Sequence, residues 1–342
     1  MEPDTNKKQK ISRKNFLQIC GSILAGGSIV GLSGILFYKR YVIPDEFLKR
    51  NATDLKKDNF TSPYKLVSSF RVPDFIEAFE LTDNQIIVAA SNNIFIYDTT
   101  GSLLNNFAIG SNLRDIATDN NNNIYLLFPN RIEVYNPNGE WIHDWEACSD
   151  QSDYCSMAVT PEAVFVTDAA NKNICKYTLE GNFERFIQSP NGFIIPSYSF
   201  GITYTDGIMY CSNPGRHRVE KYTAAGEYIG SFGKAGGATG MFCGCCNPVH
   251  LAYTSTGEII TSEKGNPRVS CYSTEGEFRS ILLDSKALGG GNTAYDIKVL
   301  KDKLFVAGKD MISTFQYDKV LAAKTACSDC GVDCPLRKGV LI

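Results

Sequence analysis

The chain has little net charge and none of the short motifs that mark the commonest enzyme classes. Its 342 residues set 34 Lys and Arg against 37 Asp and Glu, a formal net charge of −3. With no long-range positive field and no Arg/Lys stripe interleaved with aromatics, nucleic acid is not an expected partner. The sequence contains no P-loop, no G-x-G-x-x-G turn and no Ser/His/Asp nucleophile motif, which argues against phosphate-cradling NTPases, dinucleotide enzymes and serine hydrolases of the usual pattern. Cysteine is almost missing from the first 140 residues: of twelve, only Cys20 lies there.

Charge is also absent from Phe16 to Tyr38, a run of 23 residues. As a helix rising about 1.5 Å per residue it reaches roughly 35 Å, enough to cross a bilayer. Lys7, Lys8, Lys10, Arg13 and Lys14 precede it, so residues 1–15 are expected in the cytoplasm and the rest of the chain outside. Ser12-Arg13-Lys14-Asn15-Phe16-Leu17 resembles a twin-arginine export signal with Lys in place of the second Arg. No A-x-A-like cleavage site precedes Asp45. The expectation is a single-pass transmembrane anchor over 16–38 in a bacterial cytoplasmic membrane, with the bulk of the chain extracytoplasmic.

Beyond a polar linker (39–63) one pattern recurs. Residues 214–233, PGRHRVEKYTAAGEYIGSFG, write it most clearly: alternating apolar residues, a turn at Gly226, then alternation again. A repeat aromatic stands at Tyr97, Tyr135, Tyr177, Tyr222, Tyr272 and Phe315, at spacings of 38, 42, 45, 50 and 43 residues. A β-branched residue lies three before each, and Gly101, Gly139, Gly181, Gly226 and Gly276 lie four after all but the last. Two further apolar runs precede each aromatic, so every repeat holds four short strands. That period predicts an all-β, six-bladed β-propeller of four-stranded antiparallel blades over 64–318. The sixth copy stops after three strands, while YKLVSSFRV (64–72) precedes the first copy as a spare. It is expected to complete the last blade and leave no open edge.

The repeats resemble NHL repeats, best at Arg218-Val219 to Gly226 and Arg268-Val269 to Gly276. The stretch from Ile195 to Tyr272, with NPGRHR, CGCCNPV and TSEKGNPRV, is similar to a bacterial subgroup of NHL proteins with a GCCNP loop. The wider family implies a binding platform. Related six-bladed rings include metal-dependent lactonases and an amidating lyase.

Three groups of residues carry candidate chemistry. Cys148 and Cys155 enter the third blade, Cys211 ends a strand of the fourth, and Cys243, Cys245 and Cys246 enter the fifth. All are expected on the face of the inter-blade loops, directed away from the bilayer. They read either as disulfides, Cys148 with Cys155 and a pair within 243–246, or as thiolate ligands of a metal or an iron–sulfur cluster. In the Cys-rich tail (319–342), Cys327, Cys330 and Cys334 resemble part of a ferredoxin run with one cysteine missing.

Aligned innermost strands put Glu77, Asp115, Ser156, Gly201, His250 and Asp296 in one channel ring. Such a ring binds a divalent cation in a lactonase-like hydrolase, or else caps strands and holds channel water. Arg216, His217, Arg218, Lys264 and Arg268 form a basic rim that suits an anionic ligand or an acidic partner, or is solvated loop charge. The leading reading is a membrane-anchored binding platform with a protein partner and a redox-active or metal-binding cysteine face, more a binder than an enzyme. The alternatives are an electron-transfer accessory with an iron–sulfur centre and a metal-dependent hydrolase using the channel carboxylates.

Overall fold

The computed structural model of the chain describes residues 62–319. The basic n-region, the apolar run 16–38, the linker up to residue 61 and the tail with Cys327, Cys330 and Cys334 lie outside the described residues.

Six four-stranded antiparallel sheets form the described chain. The innermost strands are Ile76–Leu81, Asp115–Thr118, Tyr154–Val159, Ile202–Thr205, His250–Tyr253 and Asp296–Leu300. Each contacts the innermost strand of the next blade, and the sixth contacts the first. In the sixth blade the outermost strand is Tyr64–Arg71, paired with Met311–Tyr317. This is the closure the spare strand predicts, and it ties the two ends of the ring by main-chain hydrogen bonds.

The core lies between blades, in six buried clusters, one for each neighbouring pair. Between the fourth and fifth blades, for example, Tyr210, Val219 and Phe232 meet Phe242, Leu251, Ile259 and Tyr272. Second strands are buried almost throughout, as Ile124–Phe128 and Val164–Asp168 show by being buried at every position. They are sandwiched on both faces, so they lose the polar/apolar alternation that outer strands keep.

The aromatic-to-glycine repeat has a physical cause. The third-to-fourth strand pairing shifts register at Tyr97, Tyr135, Tyr177, Tyr222 and Tyr272. The turn glycine that follows then accepts a side chain from the preceding blade. At Gly226 φ is +89°, and an added Cβ would stand 2.6 Å from Ile187 Cγ1. At Gly276 φ is +93°, and the Cβ would stand 2.1 Å from Phe232, whose ring also packs on Tyr272 at 5.2 Å. Only glycine suits both the backbone and the space. The sixth copy has no glycine because its fourth strand arrives from residues 64–71, so there is no hairpin to turn.

Candidate functional site

Glu77, Asp115, Ser156, Gly201, His250 and Asp296 all line one cavity of ≈ 130 Å³ at the inter-blade-loop end of the axial channel. The other end opens into a wider space of ≈ 560 Å³ lined by Glu80, Thr118, Tyr204 and Tyr253. Lys298 borders both, so it stands midway along the axis.

The ring carboxylates are occupied by the fold. Asp115 Oδ2 accepts from Ser156 Oγ at 2.6 Å and from the Met157 N–H at 2.9 Å, both in the next blade. Asp296 accepts the N–H of Phe79, and Glu77 that of Leu113, again one blade on. Gly201 serves close approach: a Cβ there would lie 2.4 Å from Val249 O of the fifth blade. These groups stitch innermost strands together.

Lys298 and Glu80 are the channel members that the sequence alignment of strands missed. Lys298 Nζ lies 2.9 Å from Glu80 Oε2. Burial opposes its charge, but Glu80, Asp296 and Asp115 outweigh burial and hold the ammonium well above the ordinary lysine range. Burial raises Glu80, Asp115 and Asp296 above the usual carboxylate range, and Lys298 opposes that rise in each. His250 is pushed down to about 4, first by burial, so its imidazole is neutral at physiological pH. Its Nδ1 lies 3.6 Å from Asp296 Oδ1, too long for a hydrogen bond. The period-two rule held the signal for Lys298: the register that turns Asp296 to the axis turns residue 298 there as well.

A divalent cation does not fit this ring. Among the described residues, the only three His, Cys, Asp or Glu side chains whose ligand atoms all lie within 4.8 Å of one another are Cys148, Asp168 and Cys175. The channel carboxylates instead surround a lysine, which already supplies the positive charge a metal would bring. The Cys/Asp group is no better as a metal site. Both Asp168 oxygens are engaged: Oδ1 accepts from the N–H groups of Asp153, Ala170 and Asn171, and Oδ2 from Asn171 Nδ2 at 2.8 Å.

The cysteines separate into unlike environments. Cys148 lies against Cys175, with sulfurs 3.2 Å apart, and not against Cys155. The reason is strand alternation. Tyr154 takes the face toward Cys148, whose N–H it accepts at 3.1 Å, and Cys155 takes the opposite face. Cys155 lines the channel, where burial and then Asp153 push it up to about 12. Cys175 is raised by burial, and Tyr154 and Tyr177 share a hydroxyl–hydroxyl contact beside it. Cys211 is fully buried in the core and is raised well above the thiol range, so it does not reach the loop face.

At the loop face, Cys245 and Cys246 bring their sulfurs within 2.9 Å. Cys246 is buried and Cys245 exposed. Ser197 Oγ lies 3.5 Å from Cys246 Sγ, and Lys264, whose Nζ donates to Ser199 Oγ at 3.2 Å, is close to the same thiol. Burial alone would raise Cys246; Cys245, Ser197 and Lys264 outweigh it and hold it below the ordinary thiol range. Cys243 is half-buried and raised by burial. An iron–sulfur cluster does not fit here. Two thiolates on one tetrahedral metal stand about 3.8 Å apart for bonds of ~2.3 Å, and Cys243 does not complete a three-ligand group with Cys245 and Cys246.

The basic rim is partly taken apart. Arg268 is buried and forms an ion pair with Glu263 opposite it on the neighbouring strand, Nε to Oε1 2.7 Å. It belongs to the blade interior. Arg216 donates to the carbonyls of Gly192 and Asn191. Arg218 is half-buried, with an Nε that has no hydrogen-bond partner among the described residues. His217 contacts the Gly244 carbonyl, which joins the 214–218 loop to the 243–246 loop. Of the five, Lys264 is the one drawn toward both the thiol pair and the channel, since its charge acts on Cys246 and on His250.

Solved structures of similar fold include virginiamycin B lyase from Staphylococcus aureus, in a catalytically inactive form with quinupristin. It has a TM-score of 0.53 at 13% identity and covers 74% of this chain and 99% of that one. A streptogramin B lyase matches with a TM-score of 0.55 at 15% identity, over 74% and 97%. A Bacteroides thetaiotaomicron protein of unknown function matches at 0.57 and 12%, over 74% and 72%. At these identities the likeness shows the six-bladed fold alone. No protein-family profile and no curated protein matches the chain.

Proposed function

We propose that the chain is a membrane-anchored, extracytoplasmic binding propeller of NHL type that meets its ligand or partner on the face of the inter-blade loops. Residues 16–38 hold it to a bacterial cytoplasmic membrane, with the N-terminus inside. The observation that supports binding over hydrolysis is Lys298: it stands among the channel carboxylates, 2.9 Å from Glu80, and those carboxylates bring no three ligand atoms together for a catalytic cation. At the loop end, Arg114 lines the narrow mouth, and Lys264 reaches its edge through Ser199, with the Cys245–Cys246 pair beside that lysine.

Photo-crosslinking in intact cells tests this. A crosslinkable residue at Lys264 or Arg216 is expected to yield a defined adduct, and one at Glu227, on the hairpin-turn face, is not. Protease added to spheroplasts is expected to degrade the propeller. Adducts confined to Glu227, or a propeller protected from outside protease, would overturn the reading.

A further inference from the structure

The Cys245–Cys246 loop is built to hold two sulfurs together. Asn247 fixes its base: Nδ2 donates to Cys243 O at 2.7 Å and to Lys264 O at 2.9 Å, while Oδ1 accepts the Lys264 N–H at 2.9 Å. His217 contacts the Gly244 carbonyl on the other side. Phe242 and Pro248 are buried at either end of the loop, so the segment between them is anchored twice. One thiol faces solvent and the other lies inside, against Ser197. Adjacent cysteines ordinarily diverge; here their sulfurs are 2.9 Å apart.

We propose that Cys245 and Cys246 form a thiol–disulfide exchange site for a small anionic disulfide. Cys245 is the attacking group because it is exposed; the contact with Cys246 holds its thiol up, and Cys246, 2.9 Å away and below the ordinary thiol range, takes its proton as it attacks. Its thiolate attacks one sulfur of the disulfide, the S–S bond breaks, and one thiolate leaves and takes a proton from solvent. Cys246 then attacks the Cys245 sulfur of the mixed disulfide and releases the second thiol. Two protein thiols are oxidised by two electrons, and one disulfide is reduced to two thiols. The anionic preference comes from Lys264, which donates to Ser199 Oγ at 3.2 Å and whose charge acts on both thiols. The site lies beside the channel mouth, but the inference rests on the paired sulfurs and not on the binding reading.

The test uses the full chain in detergent, glutathione disulfide as the anionic probe and cystamine as its cationic counterpart, with residue-resolved mass spectrometry after thiol blocking. Wild type is expected to lose both thiols as a 245–246 disulfide, and Cys246→Ser to accumulate a mixed disulfide at Cys245. Lys264→Met is expected to slow the reaction with glutathione disulfide about fivefold and to leave cystamine unaffected or faster. Retention of both wild-type thiols under excess glutathione disulfide would overturn the exchange site, whatever the variants do. Equal rates with the two probes would overturn the anionic preference.

Discussion

The channel interior and the channel mouth lie on one axis and treat charge in opposite ways. Inside, Lys298 is held by Glu80 at 2.9 Å and by the fields of Asp115 and Asp296, and those carboxylates take hydrogen bonds from the next blade. The carboxylates and the lysine there help close the ring. At the mouth, Lys264 donates to Ser199 Oγ at 3.2 Å, has no carboxylate partner among the described residues, and sits beside a thiol pair of which one member is exposed. The contrast separates charge that holds the fold from charge that faces a solute, although both lie within a few residues of strand starts.

The sharpest way to break this contrast is to remove each lysine in turn. Lys298→Met leaves buried carboxylates without their counter-charge and is expected to lower unfolding stability by about 3 kcal/mol. Lys264→Met is expected to change it by less than about 0.5 kcal/mol. Urea unfolding reads both, and equal losses would erase the distinction.

Thiol reactivity is the next probe. At pH ~8, iodoacetamide is expected to modify Cys245 at least about a hundredfold faster than Cys155, because burial leaves almost no thiolate at the channel wall. Peptide mapping over a time course checks this, and prompt labelling of Cys155 would show that the interior is open.

The pH response of His250 is smaller. Its folded value of about 4 lies below the ordinary 6.5, so the unfolded chain binds a proton that the folded chain resists between those limits. This group therefore contributes a loss of stability as pH falls from about 6.5 to 4. The raised carboxylates act with the opposite sign, since the folded chain binds their protons first. The difference between wild type and His250→Gln isolates the histidine: the wild type should lose more stability than the variant on acidification. An identical pH dependence would show that solvent in the channel sets the imidazole free.

The smallest expected effect is none at all. Chelator or added calcium should leave the wild-type melting temperature unchanged, because Lys298 and hydrogen bonds from the neighbouring blades already engage the ring carboxylates. A rise with calcium would return the channel to the metal-dependent reading.

Much of the fold was legible. Turn chemistry is local, so Tyr222 and Gly226 disclose a hairpin without knowledge of the rest, and the truncated sixth copy discloses its missing strand. The channel ring was legible too, since residues in equal register on equal strands reach the same radius. Arg268 was misjudged as rim charge because only the hairpin register sets Glu263 opposite it. The pairing of Cys148 with Cys155 failed for a related reason: proximity in sequence said nothing about which face of the strand each residue takes, and Cys175 had no motif to mark it.

What the sequence alone determined is therefore the periodic part: strand length, turn position, blade number and the manner of closure. Each follows from backbone preferences that act over a few residues. The tertiary structure decided which groups meet. Lys298 finds Glu80 from 218 positions away, and Ser197 finds Cys246 from 49. Such pairs have no local signature because no local force makes them; they exist only once the ring has closed and brought distant blades to one axis.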